Sequence, residues 1–257
     1  MNIFAFLYYS NTLNTLNMKK LIFFLFLLTF FKVVQAQKQI VWFDAGLKAQ
    51  YGATGFFNSA IADFGDINYR IGTGYSFGGK LGINFRYNGL AIDVMYNNAN
   101  QLFDDNNLNT TPEFNWKSLD IYTLFRHAKN LGYFEIGPKM SMVREVTDNL
   151  SPGEVVADRT NYYNKNFFSG VIGFGANFIG NDGAFSGILG LRFEYGLTDF
   201  VSSAGKDANA PLLNPAVYSN GYKTTAPAFA GVVFELNWGI GYFAKAQCGA
   251  RSKFIRF

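Results

Sequence analysis

From Val41 onward the chain alternates. Val41, Phe43, Ala45, Leu47, Ala49 and Tyr51 are separated by Trp42, Asp44, Gly46, Lys48 and Gln50, so an extended segment here has one apolar and one mostly polar face. The same two-residue period returns seven times, around Leu81, Ile92, Ile121, Ile136, Phe174, Leu191 and Leu236. A helix would repeat its apolar residues every three to four positions, so the pattern predicts eight strands.

The connections between these segments alternate between short and long. Asn88-Gly89, residues 127–130 and Gly180-Asn181-Asp182-Gly183 read as tight turns. Residues 52–73, 97–115, 144–165 and 198–225 are long and rich in Asn, Asp, Ser, Thr and Pro. Short turns on one rim and long loops on the other are the habit of barrels that cross an outer membrane, with both termini on the periplasmic side.

Which face looks outward follows from composition. A soluble barrel turns its apolar face inward and needs a charged exterior, yet only 16% of this chain is charged. The apolar face is dense in Phe and Tyr, and the other is small and rich in glycine. The sequence therefore predicts an all-β fold, an eight-stranded antiparallel transmembrane β-barrel with short periplasmic turns and long extracellular loops. Tyr51, Tyr75, Tyr87, Tyr96, Trp116, Tyr133, Tyr195, Trp238 and Tyr242 fall near strand ends, where aromatic girdles meet lipid headgroups.

The inward face then carries Lys48, Lys80, Arg86, Arg126, Lys139 and Arg192 against Asp44, Asp93, Asp120, Glu135, Glu194 and Glu235, six of each sign. Buried charges are tolerated when paired, and eight strands enclose a space that side chains can fill. A balanced set predicts a plugged interior held by a structural charge network. The alternative is a narrow, poorly selective path for water or ions.

Ahead of the barrel, Met18-Lys19-Lys20, an apolar run over residues 21–31 and Val34-Gln35-Ala36 have the order of a secretory signal. The expected start is Met18 and the expected cleavage follows Ala36, leaving residues 1–36 as leader, 37–243 as barrel and 244–257 as a short basic tail. Removing Lys19, Lys20 and Lys32 lowers the net charge from +4 to +1, which withdraws the basic surface a nucleic-acid partner requires. Expected instead are outer-membrane lipid and, during assembly, the barrel-insertion machinery, in the outer membrane of a Gram-negative bacterium.

Chemistry is sparse. The single Cys248 and single His127 leave little for a zinc site or a histidine-based mechanism. Asp104, Asp105 and Glu113 suit a hard cation by residue type, but adjacent acids in an Asn-rich loop read as solvated. Gly72-Thr73-Gly74 opens no helix and lacks anion-binding geometry. No catalytic residue, cofactor or metal is predicted, and the chain is read as a structural or binding protein.

Leu131-Gly132-Tyr133-Phe134-Glu135-Ile136-Gly137-Pro138 and the final stretch over residues 241–257 (GYFAKAQCGARSKFIRF) resemble the outer-membrane β-barrel-domain family of Bacteroidota that includes the PorT-like proteins. The terminal Phe257 resembles the signal read by the insertion machinery. The resemblance implies a small barrel and an accessory role in type IX protein secretion, with secretion-system proteins as partners, and it carries no catalytic residues.

Overall fold

The computed structural model describes residues 41–106, 111–129, 131–149, 156–180 and 185–244. The proposed leader and the basic tail from residue 245 lie outside the described residues, and Ala244, the tail's expected first residue, ends the last strand.

Alternation resolves into strands β1 (Val41–Phe57), β2 (Ile67–Arg70), β3 (Gly72–Phe85), β4 (Asn88–Asp105), β5 (Glu113–Lys129), β6 (Gly132–Asn149), β7 (Ala157–Asp158), β8 (Asn166–Gly180), β9 (Phe185–Gly196) and β10 (Ala226–Ala244). All pairings are antiparallel, and the order β4-β3-β1-β10-β9-β8-β6-β5 closes on itself through the β4–β5 ladder. Eight strands thus form a ring. Short β2 continues β3 past a break at Ile71 and pairs with β4, while β7 pairs with the upper end of β6. Two single-turn helices, α1 (Ser59–Ala62) and α2 (Ser203–Asp207), lie in the first and last long loops.

Burial follows the two-residue period. On β10, Glu235 is fully buried beside outward Phe234, which is 40% exposed, and Leu47 and Leu81 elsewhere on the wall reach 61% and 64%. The outward residues Leu47, Phe77, Leu81, Ile92, Phe174, Leu191 and Phe234 belong to an exposed apolar belt that runs through all the long strands. On β10 it extends from Val232 to Ile240, matching the roughly 9–11 residues a strand needs to cross a bilayer. The closed ring leaves no strand edge, the condition for a sheet in hydrocarbon. The molecule is a transmembrane β-barrel.

Three sequence expectations change. The first hairpin turns at Arg86-Tyr87 instead of Asn88-Gly89, because Phe85 pairs with Asn88 and Ile83 with Leu90. Arg86 adopts φ 58° and is exposed in the turn, its guanidinium 4.7 Å from the Tyr87 ring centre. Gly89 instead faces inward beneath Asn84, whose Oδ1 would lie 2.5 Å from an added Cβ. Second, His127 belongs to β5, paired with Phe134, and its Nδ1 lies 2.7 Å from Asn88 Oδ1. Third, Trp116 and Tyr133 are no part of the girdle: both point inward, 3% and 7% exposed, since inward positions are even-numbered on β5 and odd-numbered around Tyr133 on β6. Tyr51, Tyr75, Tyr87, Tyr96, Tyr195 and Trp238 are exposed on the outside.

The long loops are also shorter than expected. β1, β4, β5 and β6 run into them because Phe56, Phe103, Phe114 and Val146 continue the inward face as apolar residues. Strands that keep a core to cover keep their ladder.

Candidate functional site: the sealed lumen

Neighbouring strands carry the inward charges at matching heights. Lys48 on β1 stands directly opposite Glu235 on β10, and Lys80 on β3 opposite Asp93 on β4. Glu235 is the hub. Its carboxylate meets Lys48 Nζ at 3.0 Å, Lys80 Nζ at 2.7 Å and, across the lumen, both terminal nitrogens of Arg126 at 2.8 Å each. Planar bidentate pairing of this kind fixes geometry as well as charge.

From the hub the network spreads in both directions. Lys80 also holds Asp44 at 3.1 Å, and Lys48 holds Asp93 at 2.6 Å. Arg126 donates to Glu135 at 2.7 Å, whose other oxygen accepts from Arg192 at 2.5 Å. Arg192 reaches Asp93 at 3.4 Å and donates to Gln50 Oε1 at 3.2 Å. Gln50 and the Tyr122 hydroxyl donate to Glu194 at 3.3 and 3.0 Å, and Lys139 bridges Glu194 at 2.5 Å and Asp120 at 3.3 Å. Glycines make the room: a methyl on Gly82 would collide with the Asp44 carboxylate, and one on Gly173 would lie 2.8 Å from Glu135 Cγ.

Eleven of the twelve expected residues therefore meet in one lattice, and Arg86 does not. Among them, five cations face six carboxylates. Isolated charges in so enclosed an interior would each cost several kcal/mol, so the lattice persists because nearly every charge has a partner.

Above this layer sits a second one that sequence reasoning missed. Phe200, in the last long loop, is completely buried against Tyr163, Phe167, Trp116 and Phe56, with ring centres 4.7, 5.3, 5.9 and 6.3 Å away. Phe103, Phe114, Val201, Leu212, Val217 and Tyr218 are among the other members of the cluster. Polar ties hold the loop down: Asp199 Oδ1 accepts from the Val201 and Thr225 amides, and Asn58 Nδ2 donates to Thr225 Oγ1 at 2.9 Å and to Lys223 O at 2.7 Å. Burial pushes the phenols of Tyr163, Tyr218 and Tyr222 in this cap above their ordinary range. The available signal was the inward parity of Phe56 and Phe114, which continues the strand pattern into segments whose polar composition reads as loop.

A side chain completes the wall where β1 and β2 part. Gln101 Oε1 accepts from the Phe56 amide at 3.0 Å, and its Nε2 donates to Arg70 O at 2.9 Å, spanning the gap as a strand would. Tyr69 adds a second clasp, its hydroxyl accepting from Asn58 N–H at 2.9 Å and donating to Asn58 O at 2.8 Å.

A cavity of about 40 Å³ lies at the mouth on the short-turn side by Asp44, Asn84 and Asn237, and another of about 20 Å³ lies between charges and cap by Asn97, Lys139 and Glu194. The second holds about one water. The acidic loop residues are engaged elsewhere: Asp104 faces Arg70 at 3.7 Å, and Glu113 accepts from Asn100 and Asn115.

No family model matches the chain, and no curated protein matches it. Among solved structures it is similar to neisserial surface protein A (NspA), at 10% identity and a TM-score of 0.41, covering 76% of this chain and 96% of that one. The attachment invasion locus protein Ail of Yersinia pestis, solved with the heparin analogue sucrose octasulfate, is 13% identical with a TM-score of 0.37 over 76% of this chain and 99% of that one. OprG of Pseudomonas aeruginosa is 10% identical with a TM-score of 0.33 over 79% and 98%.

Proposed function

We propose that the protein is a closed, non-conducting barrel of a Gram-negative outer membrane, acting as a structural or binding protein through its capped extracellular end. The observation that carries this reading is the double filling of the lumen, by the Glu235-centred charges and by the Phe200-centred cap. A pore lined for selection would show a continuous passage and a preponderance of one sign. Recognition then falls to the outer surface, and no bond-making chemistry is assigned. In planar lipid bilayers the inserted protein is expected to leave the membrane resistance unchanged; a stable single-channel conductance that shifts on Lys80→Gln would replace this reading with the narrow-pore one.

A second reading, an accessory of type IX secretion with secretion-system partners, is supported by the resemblance to PorT-like proteins. Part of that resemblance falls on Tyr133 and Glu135, which contact Arg126 within the lumen. Co-purification of a secretion component from solubilised envelopes, with loss of secreted cargo on deletion, is its expected result.

A further inference from the structure

The outer wall is not evenly covered. From its upper edge down toward Ile136 runs an apolar groove of about 750 Å³, with Ala53, Ala228 and Ala230 among its lining residues and the larger Ile172, Tyr195 and Leu197 beside them. Small outward residues on paired β1 and β10 leave a depression there.

Charged residues of both signs line the rim around the same edge. Asp63, Asp66, Asp104 and Asp105 gather on the α1–β2–β4 side, where Arg70 is already faced by Asp104. The β6–β8 side carries exposed Arg144 and Lys165, joined through the Val143 amide donating to Lys165 O at 2.8 Å. Among the described residues neither has an ion-pair partner. The carboxylates near them are engaged, Glu145 by Lys117 at 3.0 Å and Asp158 by the Thr160 hydroxyl and amide. Lys165 stands five residues above Gly170, roughly 16 Å along β8, and Leu197 joins Phe168 through its backbone at 2.8 Å. A headgroup at the cations and a chain in the groove are therefore one lipid length apart.

We infer that Arg144 and Lys165 hold the phosphate of an anionic outer-leaflet lipid whose acyl chain lies in the groove beneath. The inference rests on the bilayer-spanning reading and adds a lipid class and a site to it. Phosphatidylglycerol and phosphatidylcholine with identical chains, offered together to the detergent-solubilised protein, provide the test by native mass spectrometry. Phosphatidylglycerol is expected to be retained preferentially, each of Arg144→Gln and Lys165→Gln lowering that preference about fivefold, the factor for one surface charge near an anionic headgroup. Ala230→Phe is expected to reduce retention of both lipids by filling the groove. Equal retention of the two lipids, a preference indifferent to both neutralisations, or a photocrosslinker at Ala230 that captures a second copy or another protein would each overturn the inference. Such an outcome with a protein that still inserts into vesicles leaves the barrel reading standing, whereas failure to insert removes both.

Discussion

Glu235 holds three cations with one carboxylate. Replacing it by Gln keeps the shape and removes the charge, leaving Lys48, Lys80 and Arg126 with only their outlying partners Asp93, Asp44 and Glu135. Breaking a buried ion pair from one side costs about 3–5 kcal/mol; Glu235→Gln is expected to lose that much in urea unfolding from lipid vesicles, and a loss below about 1 kcal/mol, the surface-pair range, would remove the hub. In the cap, burial pushes Tyr69 up to about 12 against the opposing hydrogen bond with the Asn58 backbone. A phenol whose proton is held more tightly in the fold contributes fully below its ordinary value of 10 and loses that contribution as pH rises toward about 12. The β1–β2 clasp is thus expected to loosen across that window, read as a change in Trp116 fluorescence against a Trp116→Phe control, and a flat signal would contradict it. The lumen residues were legible because charge on an alternating strand marks the inner face. Gln101 was not, since its role depends on a gap between two strands far apart in sequence.

Strand identity and facing follow from a period of two, and the observed faces agree with it along the barrel strands except past the bulge at Arg144, where the inward positions of β6 change from odd to even. Trp116 and Tyr133, expected in the outer girdle, turn inward. What the period cannot fix is register: sliding a hairpin by two residues preserves every inward and outward assignment. That is why Asn88-Gly89, a strong local turn signal, yields to Arg86-Tyr87, and why Arg86 passes from lumen to turn. Strand ends were hidden for a related reason, because Phe56, Phe103 and Phe114 extend the core beneath loops of polar composition. Facing itself is open to a direct check. On β10, Leu236→Arg places a cation in hydrocarbon and is expected to cost about 2–4 kcal/mol more than arginine on an outward position above the belt. Asn237→Arg instead adds a cation beside Lys80, 3.2 Å from the Asn237 oxygen, and is expected to fail by charge crowding, rescued in part by Lys80→Gln. Rescue of Leu236→Arg by the same change would reverse the assigned faces.

The barrel is a short tube sealed twice. Closure of the ring satisfies the backbone in hydrocarbon, the belt supplies the favourable contact with lipid, and the ion lattice and aromatic cap fill the interior from opposite ends. The parts depend on one arrangement, with even positions of β10 in lipid and odd positions in an occupied lumen. Spin labels placed singly from residue 232 to 238, with Cys248 replaced by Ser, test it most directly. The structure predicts that labels at 232, 234, 236 and 238 are accessible to oxygen and shielded from a water-soluble nickel chelate, and that those at 233, 235 and 237 are shielded from both. Access of the nickel chelate to the odd positions would mean an open aqueous lumen, and access to the even ones would mean that the belt faces water.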